Sequence, residues 1–347
     1  MKILTVIGAR PQFIKAAAVS RALAKAGVKE IIVHTGQHYD PNMSEVFFTE
    51  MEIPKPDYNL DIHDLGHGAM TGRMLEAIEK IVLERKPDYV LVYGDTNSTL
   101  AGALAAVKVH VPIAHVEAGL RSFDMKMPEE VNRILTDRIS NILFVPTQAA
   151  IDNLKKEGCD AEIVNVGDVM LDTLLFYKDK ASQRPPVINE KEFVLATIHR
   201  AENTNDPRRL KSICEAINEI NKKIPVVLPL HPRTKSYLKD IELNATVIDP
   251  LGYFDMLNLL AKCSLVMTDS GGLQKEAYFC GKYCVTLRDQ TEWVELVESG
   301  VNEIAGADKE KIVRLALNNL NKKIVFNKSL YGDGTASEKI AQRIRRG

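Results

Sequence analysis

The sequence predicts an α/β protein made of two doubly wound, Rossmann-like domains. Short apolar runs alternate with amphipathic stretches from one end of the chain to the other, which is typical of parallel sheets covered by helices on both faces. A polar segment with consecutive prolines divides these runs into two similar series. The length of 347 residues also suits two domains of roughly 150 residues each.

Each predicted strand is a short apolar run next to turn residues. In the first series the predicted strands are Ile3–Ile7, Ile31–Thr35, Tyr89–Tyr93, Ile113–Val116 and Ile142–Val145. In the second series they are Glu192–Thr197, Val226–Leu230, Thr246–Ile248, Leu265–Thr268 and Tyr283–Thr286. Amphipathic stretches that predict intervening helices are Phe13–Ala26, Gly72–Arg85, Leu210–Lys222 and Tyr253–Ala261.

Residues 178–191 form the predicted linker. They include Pro185 and Pro186 in a polar setting, and consecutive prolines cannot continue a helix or a strand. We therefore expect an N-terminal domain over residues 1–177 and a C-terminal domain over residues 192–335. The last helix, residues 336–347, is expected to rejoin the first domain.

Composition excludes several classes of protein. The net charge of −1 argues against a general nucleic-acid binder. The longest apolar region, Leu91–Val116, is interrupted by Asp95, Lys108 and His110, so no membrane helix is expected. The first apolar run is too short for a signal peptide. Five cysteines without a CxxC pair favour neither disulfides nor a zinc site. A cytoplasmic address is the default expectation.

The strongest motif follows the predicted strand Leu265–Thr268. Ser270, Gly271 and Gly272 open a predicted helix whose N-terminus favours an anion such as a diphosphate. Glu276 lies one turn later on the same face and could accept both hydroxyls of a ribose. Together these features indicate a site for a nucleoside diphosphate. The alternative is an ordinary serine N-cap followed by glycines that permit close packing.

Two common nucleotide motifs are absent from the sequence. The segment Gly66-His67-Gly68 has Thr71 where GxGxxG requires its third glycine, and no GxxxxGK[ST] pattern occurs. These absences argue against NAD chemistry and ATP hydrolysis. We therefore expect no cofactor. No metal is expected either, because the sequence has no CxxC pair.

Charged side chains also follow strands of the first domain. Arg10 and Lys15 lie near a predicted helix start, where cations oppose the helix dipole unless an anion is near. Asp95, Glu117 and Glu129 are expected at the same rim of the domain. Because clustered carboxylates push their pKa values apart, one can act as an acid while another acts as a base. Solvent exposure or helix capping is the alternative explanation for most of these residues.

Histidines follow two strands of the second domain. His199 and Arg200 come after the first of them, and His231 comes after the next. Both positions suit contacts with a phosphate. His34 and His38 have a spacing seen in metal sites, but they lie on a strand-to-loop segment, which favours a role without metal.

Taken in order, these motifs resemble the non-hydrolysing UDP-N-acetylglucosamine 2-epimerase family. The ordered set is GxRP, GDTxST, HVEAGLR, PEExNR, HPR and TDSGG, from Lys2 to about Ala336. The resemblance implies the GT-B fold with the active site in the interdomain cleft. UDP would lie mostly on the second domain, and the sugar would face the first. A homodimer and, in some members, activation by a second UDP-sugar are also implied.

The reaction that the resemblance implies is elimination of UDP to a 2-acetamidoglucal and re-addition to the opposite C2 configuration. The expected catalytic residues are Asp95, Glu117, Glu129 and His199. The expected residues that bind UDP or the sugar are Arg10, Lys15, Arg121, His231, Ser270, Gly271, Gly272 and Glu276. The residues suit this reaction, because expelling a stabilised diphosphate makes loss of the weakly acidic C2 proton feasible.

Two segments depart from the common family pattern. Trp293 stands where the family often has Arg, and residues 122–128 are slightly shorter than usual. Both features resemble the branch that epimerises UDP-2,3-diacetamido-2,3-dideoxy-glucuronate. An indole at position 293 suits an additional acetamido group, and Lys126 is a candidate partner for a uronate. The alternative for Trp293 is a simple core position.

The leading expectation is interconversion of UDP-N-acetylglucosamine and UDP-N-acetylmannosamine for surface polysaccharide synthesis. The diacetamido-uronate is the alternative substrate. A GT-B glycosyltransferase is the alternative class, and it would not need Asp95, Glu117 and Glu129 together. Gln37 and His231 are candidate contacts for an activator.

Overall fold

The chain forms two compact units in the computed structural model, which describes residues 1–38, 45–230, 232–238 and 241–347. Unit 1 comprises Met1–Phe176 and Lys328–Gly347, and unit 2 comprises Tyr177–Asn327. Each unit is a parallel sheet with helices between successive strands. The α/β class with two Rossmann-like units is thus confirmed.

Within its described residues, unit 1 contains a seven-stranded parallel sheet with the order β3-β2-β1-β4-β5-β6-β7. The reversal of strand order falls between β1 and β4, at the sheet centre. Both neighbouring strands are almost wholly buried. The strands are β1 (Lys2–Ile7), β2 (Lys29–His34), β3 (Tyr58–Asn59), β4 (Tyr89–Tyr93), β5 (Ile113–Val116), β6 (Ile142–Val145) and β7 (Glu162–Asn165).

Unit 2 repeats this topology over its described residues with the order β10-β9-β8-β11-β12-β13. Here the strand order reverses between β8 and β11. Its core combines apolar residues of the central strands with those of helices 207–221 and 309–318. The strands are β8 (Val194–Thr197), β9 (Val226–Pro229), β10 (Thr246–Ile248), β11 (Leu265–Thr268), β12 (Cys284–Thr286) and β13 (Asn302–Ile304).

Helices occupy most of the connections between strands. In the first part of the chain they are α1 (Arg10–Lys25), α2 (Glu45–Glu50), α3 (His67–Arg85), α4 (Asn97–Lys108), α5 (Pro128–Ile139), α6 (Gln148–Lys156) and α7 (Val169–Ser182). The remainder are α8 (Ala201–Thr204), α9 (Pro207–Asn221), α10 (Pro232–Tyr237), α11 (Tyr253–Lys262), α12 (Gly271–Phe279), α13 (Val294–Glu298), α14 (Lys309–Asn318), α15 (Lys328–Tyr331) and α16 (Ala336–Arg346). No helix in the described ranges is long and apolar enough to cross a bilayer.

All ten predicted strands occur within two residues of their predicted bounds. Sequence reasoning missed β3, β7 and β13, which lie at the edges of the two sheets. These strands are short, and β3 and β7 carry exposed residues. An apolar run, the signal used for strands, therefore does not mark them.

The chain returns to unit 1 earlier than residue 336. The carbonyl of Tyr331 accepts a 2.9 Å hydrogen bond from the Asp168 N–H, and Tyr331 is fully buried. The Asp172 carboxylate then accepts from the backbone N–H groups of Ala336 and Ser337, at 3.2 and 2.7 Å. These bonds place residues 328–335 in unit 1. The predicted linker also begins as helix, since α7 continues to Ser182.

Candidate active site

Gln12 bridges the place in unit 1 where the strand order reverses. Its Oε1 accepts from the N–H groups of Gly8 and Ala9, at 2.8 and 3.0 Å. Its Nε2 donates to the Tyr93 carbonyl and the Thr99 hydroxyl, both at 3.0 Å. This buried amide therefore ties the turn after β1 to the end of β4. Ligands of such sheets bind at this position, beyond the carboxyl ends of the strands.

Lys15 and Glu117 form a buried ion pair at this edge, with 2.5 Å between Nζ and Oε1. Glu117 follows β5 with a φ of +67°, a left-handed conformation that is uncommon and costly for a residue other than glycine. Gly94 leaves room for the pair, because a Cβ at Gly94 would lie 3.2 Å from Lys15 Nζ. A predicted binding cation and a predicted catalytic carboxylate thus meet directly.

Asp95 is held by Arg133, a residue that sequence reasoning did not assign. Arg133 donates from Nε and Nη2 to Asp95 Oδ2, at 3.1 and 2.7 Å, and from Nη1 to Glu130 Oε2, at 2.7 Å. The Asp95 side chain keeps 28% of its surface exposed. It is therefore oriented by a buried guanidinium and still accessible.

The two glutamates that open α5 have different environments. Glu130 is fully buried and accepts from the N–H groups of Ser122 and Phe123, at 3.0 and 2.9 Å. Glu129 is partly exposed. Glu130 is consequently committed to internal hydrogen bonds, whereas Glu129 keeps part of its surface exposed.

Arg10 lies at the start of α1 and is partly exposed. Its backbone N–H donates to His38 Nδ1 at 3.1 Å, and its guanidinium carbon lies 4.9 Å from the centroid of the Phe47 ring. The cation therefore rests on an aromatic face near the carboxyl end of β1, which keeps it close to the Gln12 bridge.

Arg121 is not exposed at this edge. It is 2% exposed, donates from Nε and Nη2 to Glu157 at 2.7 Å, and donates from Nη1 to Asp137 at 2.7 Å. Its guanidinium is thus committed to internal carboxylates. This arrangement does not support the predicted binding role and makes Arg121 a structural residue.

His34 and His38 each contact backbone amides. The Nδ1 of His34 accepts from the Gly36 N–H at 3.0 Å, and its ring stacks on Phe13. Burial lowers the pKa of His34. Across the residues that the structure describes, no three metal-ligating side chains come together.

Asp269 bridges the corresponding place in unit 2, between β8 and β11. Its buried carboxylate accepts from the N–H groups of His199 and Arg200, both at 3.0 Å, and from Asn203 Nδ2 at 3.2 Å. It also faces His199 Nδ1 at 3.1 Å. Burial alone would raise the pKa of Asp269, but His199 and these hydrogen bonds bring it below its usual value. His199 is half exposed, with Nδ1 oriented towards Asp269.

The start of α12 contains the predicted diphosphate clamp. Ser270 is the N-cap, and its hydroxyl accepts from the Leu273 N–H at 3.4 Å. A Cβ at Gly271 would lie 2.3 Å from Glu292 Oε1 and 3.3 Å from Trp293 Nε1. Gly271 therefore makes room for neighbouring side chains, whereas Gly272 is partly exposed.

Glu276 lies in α12 and is 6% exposed. Burial, followed by the nearby Glu276 carboxylate, raises the pKa of Tyr253 far above its usual value. The predicted ribose acceptor thus lies close to a buried phenol. A ligand that reaches Glu276 would have to enter a confined space.

Trp293 is a core residue, only 2% exposed. The Lys275 ammonium, also buried, lies 4.0 Å from the centroid of its ring. The core interpretation of Trp293 is the one that this geometry supports. Lys126 is exposed on the turn before α5, and His231 lies outside the described residues.

Comparisons with known proteins place the chain in a family. The profile described as UDP-N-acetylglucosamine 2-epimerase matches residues 21–345. The UDP-2,3-diacetamido-2,3-dideoxy-D-glucuronate 2-epimerase of Pseudomonas aeruginosa is 61% identical over 99% of both chains.

Solved structures agree with this assignment. The UDP-GlcNAc 2-epimerase of Methanocaldococcus jannaschii, in complex with UDP-GlcNAc and UDP, superimposes with a TM-score of 0.95, 43% identity and full coverage of both chains. A complex of UDP with MnaA from S. aureus gives a TM-score of 0.91 at 33% identity, covering 99% of this chain and 96% of the other.

Proposed function

This chain belongs to the UDP-N-acetylglucosamine 2-epimerase family, and we propose that it inverts C2 of a UDP-linked N-acetylated sugar by eliminating and re-adding UDP. The observation that carries the mechanism is the grouping of Lys15–Glu117 and Asp95–Arg133 at the carboxyl ends of neighbouring strands. Each carboxylate is held in place by a cation, and positioned carboxylates suit proton removal.

We assign the UDP moiety to unit 2 and the sugar to unit 1. The α12 N-terminus at Ser270 and Gly272 supplies amides for a diphosphate, and His199 is oriented by Asp269. Stabilising the departing diphosphate lowers the barrier to loss of the C2 proton. Asp95, Glu117 and the partly exposed Glu129 then exchange that proton on the sugar.

The preferred sugar in this proposal is UDP-2,3-diacetamido-2,3-dideoxy-glucuronate. It rests on the 61% identity to the Pseudomonas aeruginosa enzyme that carries this name. UDP-N-acetylglucosamine, the leading expectation from sequence, is the second candidate, supported by the Methanocaldococcus jannaschii enzyme at 43% identity. Cytoplasmic location remains a prediction from the sequence. A role in surface polysaccharide synthesis, a homodimer and activation by a second UDP-sugar remain predictions from the family resemblance.

NMR of the protein with each UDP-sugar in D2O tests the proposal. The expected product carries deuterium at C2, because the proton exchanges with solvent before UDP returns. Epimerised product without deuterium would indicate internal hydride transfer and overturn the elimination mechanism. The kcat/KM for UDP-2,3-diacetamido-2,3-dideoxy-glucuronate should exceed that for UDP-N-acetylglucosamine by at least about tenfold, which corresponds to one good contact. A reversed ratio selects UDP-N-acetylglucosamine.

A further inference from the structure

A buried charged cluster lies directly behind Glu117. It consists of His115, Asp137, Arg121 and Glu157, and the first three are at most 2% exposed. His115 Nδ1 lies 2.7 Å from Asp137 Oδ1, and Arg121 joins Asp137 to Glu157. None of these side chains reaches the ligand in the proposed mechanism, yet such a cluster is costly to bury.

Asp137 holds the chain on both sides of Glu117. It contacts His115 before Glu117, and it accepts from the Gly119 N–H at 3.1 Å and from Arg121 at 2.7 Å after it. The intervening Glu117 has the left-handed backbone described above. One carboxylate therefore secures the strained turn from which Glu117 reaches Lys15.

The other ring nitrogen of His115 reaches the turn that carries Asp95. Its Nε2 lies 2.7 Å from the Gly94 carbonyl oxygen, and the Gly94 N–H donates to the Val116 carbonyl at 2.9 Å. Gly94 precedes Asp95 and borders the Lys15–Glu117 pair. His115 consequently connects the backbones beneath both predicted catalytic carboxylates.

Both ring nitrogens of His115 face oxygen atoms that accept hydrogen bonds. A carbonyl oxygen can only accept, and an ionised carboxylate can only accept, so each nitrogen must donate. Burial alone would raise the pKa of Asp137, but His115 and Arg121 bring it below its usual value, which keeps it ionised. A ring with two N–H groups is an imidazolium.

We propose that His115 is a positioning residue that donates hydrogen bonds from both ring nitrogens and, with Asp137, fixes the backbones beneath Asp95 and Glu117 for proton transfer at C2. The positioning role rests on the proposed epimerase function. The protonation of the ring does not, so the two parts can be tested separately.

Long-range ¹H–¹⁵N NMR of protein labelled at histidine tests the protonation. We expect one ring with two slowly exchanging N–H protons and both nitrogens in the imidazolium range from pH 7 to 8. A single protonated nitrogen on every buried ring would overturn the proposal. This measurement uses the unaltered protein and stands even if the chain epimerises no sugar.

The positioning role is tested with Asp137→Asn, and Glu157→Gln is the matched control in the same cluster. Glu157 contacts only Arg121 among the cluster members and is 39% exposed. We expect Asp137→Asn to lower kcat by about 100-fold, as for a small misplacement of reacting groups. KM should change less than about threefold, because the contacts that bind the substrate in its ground state are retained. Glu157→Gln should keep kcat within about twofold, because Asp137 keeps its contacts with His115 and Gly119 in this variant.

Backbone ¹H–¹⁵N NMR spectra, which report on both units, show whether Asp137→Asn protein is correctly folded. A kcat per folded molecule equal to that of Glu157→Gln would overturn the positioning role. Failure of the unaltered enzyme to exchange the C2 proton would instead contradict the proposed function. Exchange of the C2 proton by the unaltered enzyme, measured by NMR in D2O, therefore distinguishes the two failures.

Discussion

The two units share one topology but bridge the point of strand-order reversal with different chemistry. In unit 1 the bridge is Gln12, a neutral amide that donates on one side and accepts on the other. In unit 2 it is Asp269, an ionised carboxylate that only accepts. The residues around each bridge differ accordingly. Unit 1 surrounds a neutral bridge with ion-paired side chains, and unit 2 surrounds an anionic bridge with backbone amides.

This difference suits the proposed division of labour. Because Gln12 is neutral, it adds no further charge beside Lys15, Glu117 and Asp95. The electrostatic interactions among these three side chains are therefore available for proton transfer. In unit 2 the anionic Asp269 orients His199, and hydrogen bonds from N–H donors compensate its charge. In this proposal the same fold serves proton chemistry in one unit and anion binding in the other, because function depends on the site and not on the fold.

The largest expected effect is on proton transfer in unit 1. Glu117→Gln should lower kcat by about 10³-fold, as for loss of a general base, while UDP affinity measured by calorimetry changes less than about threefold. Glu76→Gln is the control, because Glu76 is an exposed carboxylate of unit 1 paired only with Lys80. Equal losses of affinity and kcat in Glu117→Gln would mean that the two units do not divide the roles.

Exchanging the bridges tests whether their charge matters. Asp269→Asn should lower the free energy of unfolding by about 3 kcal/mol at pH 7, because the amide has only one acceptor oxygen and its NH2 group would face N–H donors. Gln12→Glu should cost about 2 kcal/mol, because a carboxylate would face the Tyr93 carbonyl. Urea unfolding measures both. A cost near zero for either variant would show that the bridge is interchangeable.

The loss of stability in Asp269→Asn should change with pH in a direction that the pKa of Asp269 determines. The pKa of Asp269 is below its usual value in the folded state, so its stabilisation is present above the unfolded pKa of about 4 and is lost as pH falls below it. The gap in unfolding free energy between the native protein and Asp269→Asn should therefore narrow below about pH 4. A gap that widens in acid would contradict the ionised bridge.

Sequence reasoning located the residues at strand ends but not what they contact. Asp95, Glu117 and Ser270 follow apolar strands closely, and each lies at the carboxyl edge of its sheet, whereas Glu276 lies in the second turn of α12. Arg133, Asp137 and Asp269 were not assigned, because a buried ion pair joins residues far apart in sequence. The same limit explains Arg121, whose motif suggested a ligand but whose partners are Asp137 and Glu157.

A smaller effect is expected at the predicted ribose acceptor of unit 2. Glu276→Ala should weaken UDP binding by about 1–3 kcal/mol, as for loss of a charge-assisted hydrogen bond. Calorimetry with UDP measures the loss, and the C2 exchange rate at saturating substrate should be nearly unchanged. Glu298→Ala, an exposed residue at the end of α13, is the control. Undiminished UDP affinity in Glu276→Ala would remove Glu276 from the nucleotide site.

The smallest expected effect concerns Trp293. Because the indole is buried against the Lys275 ammonium, Trp293→Phe keeps an aromatic face but offers a weaker attraction to the cation. The loss of stability should be about 1 kcal/mol, in the range of a buried cation–π contact. A core residue acts equally on both candidate sugars, so their kcat/KM ratio should stay within about twofold, well short of the tenfold expected for one lost contact. A ratio that shifts towards UDP-N-acetylglucosamine by tenfold or more would restore Trp293 as a residue that recognises the additional acetamido group. It would also move part of sugar selection into unit 2, against the proposed division of roles between the two units.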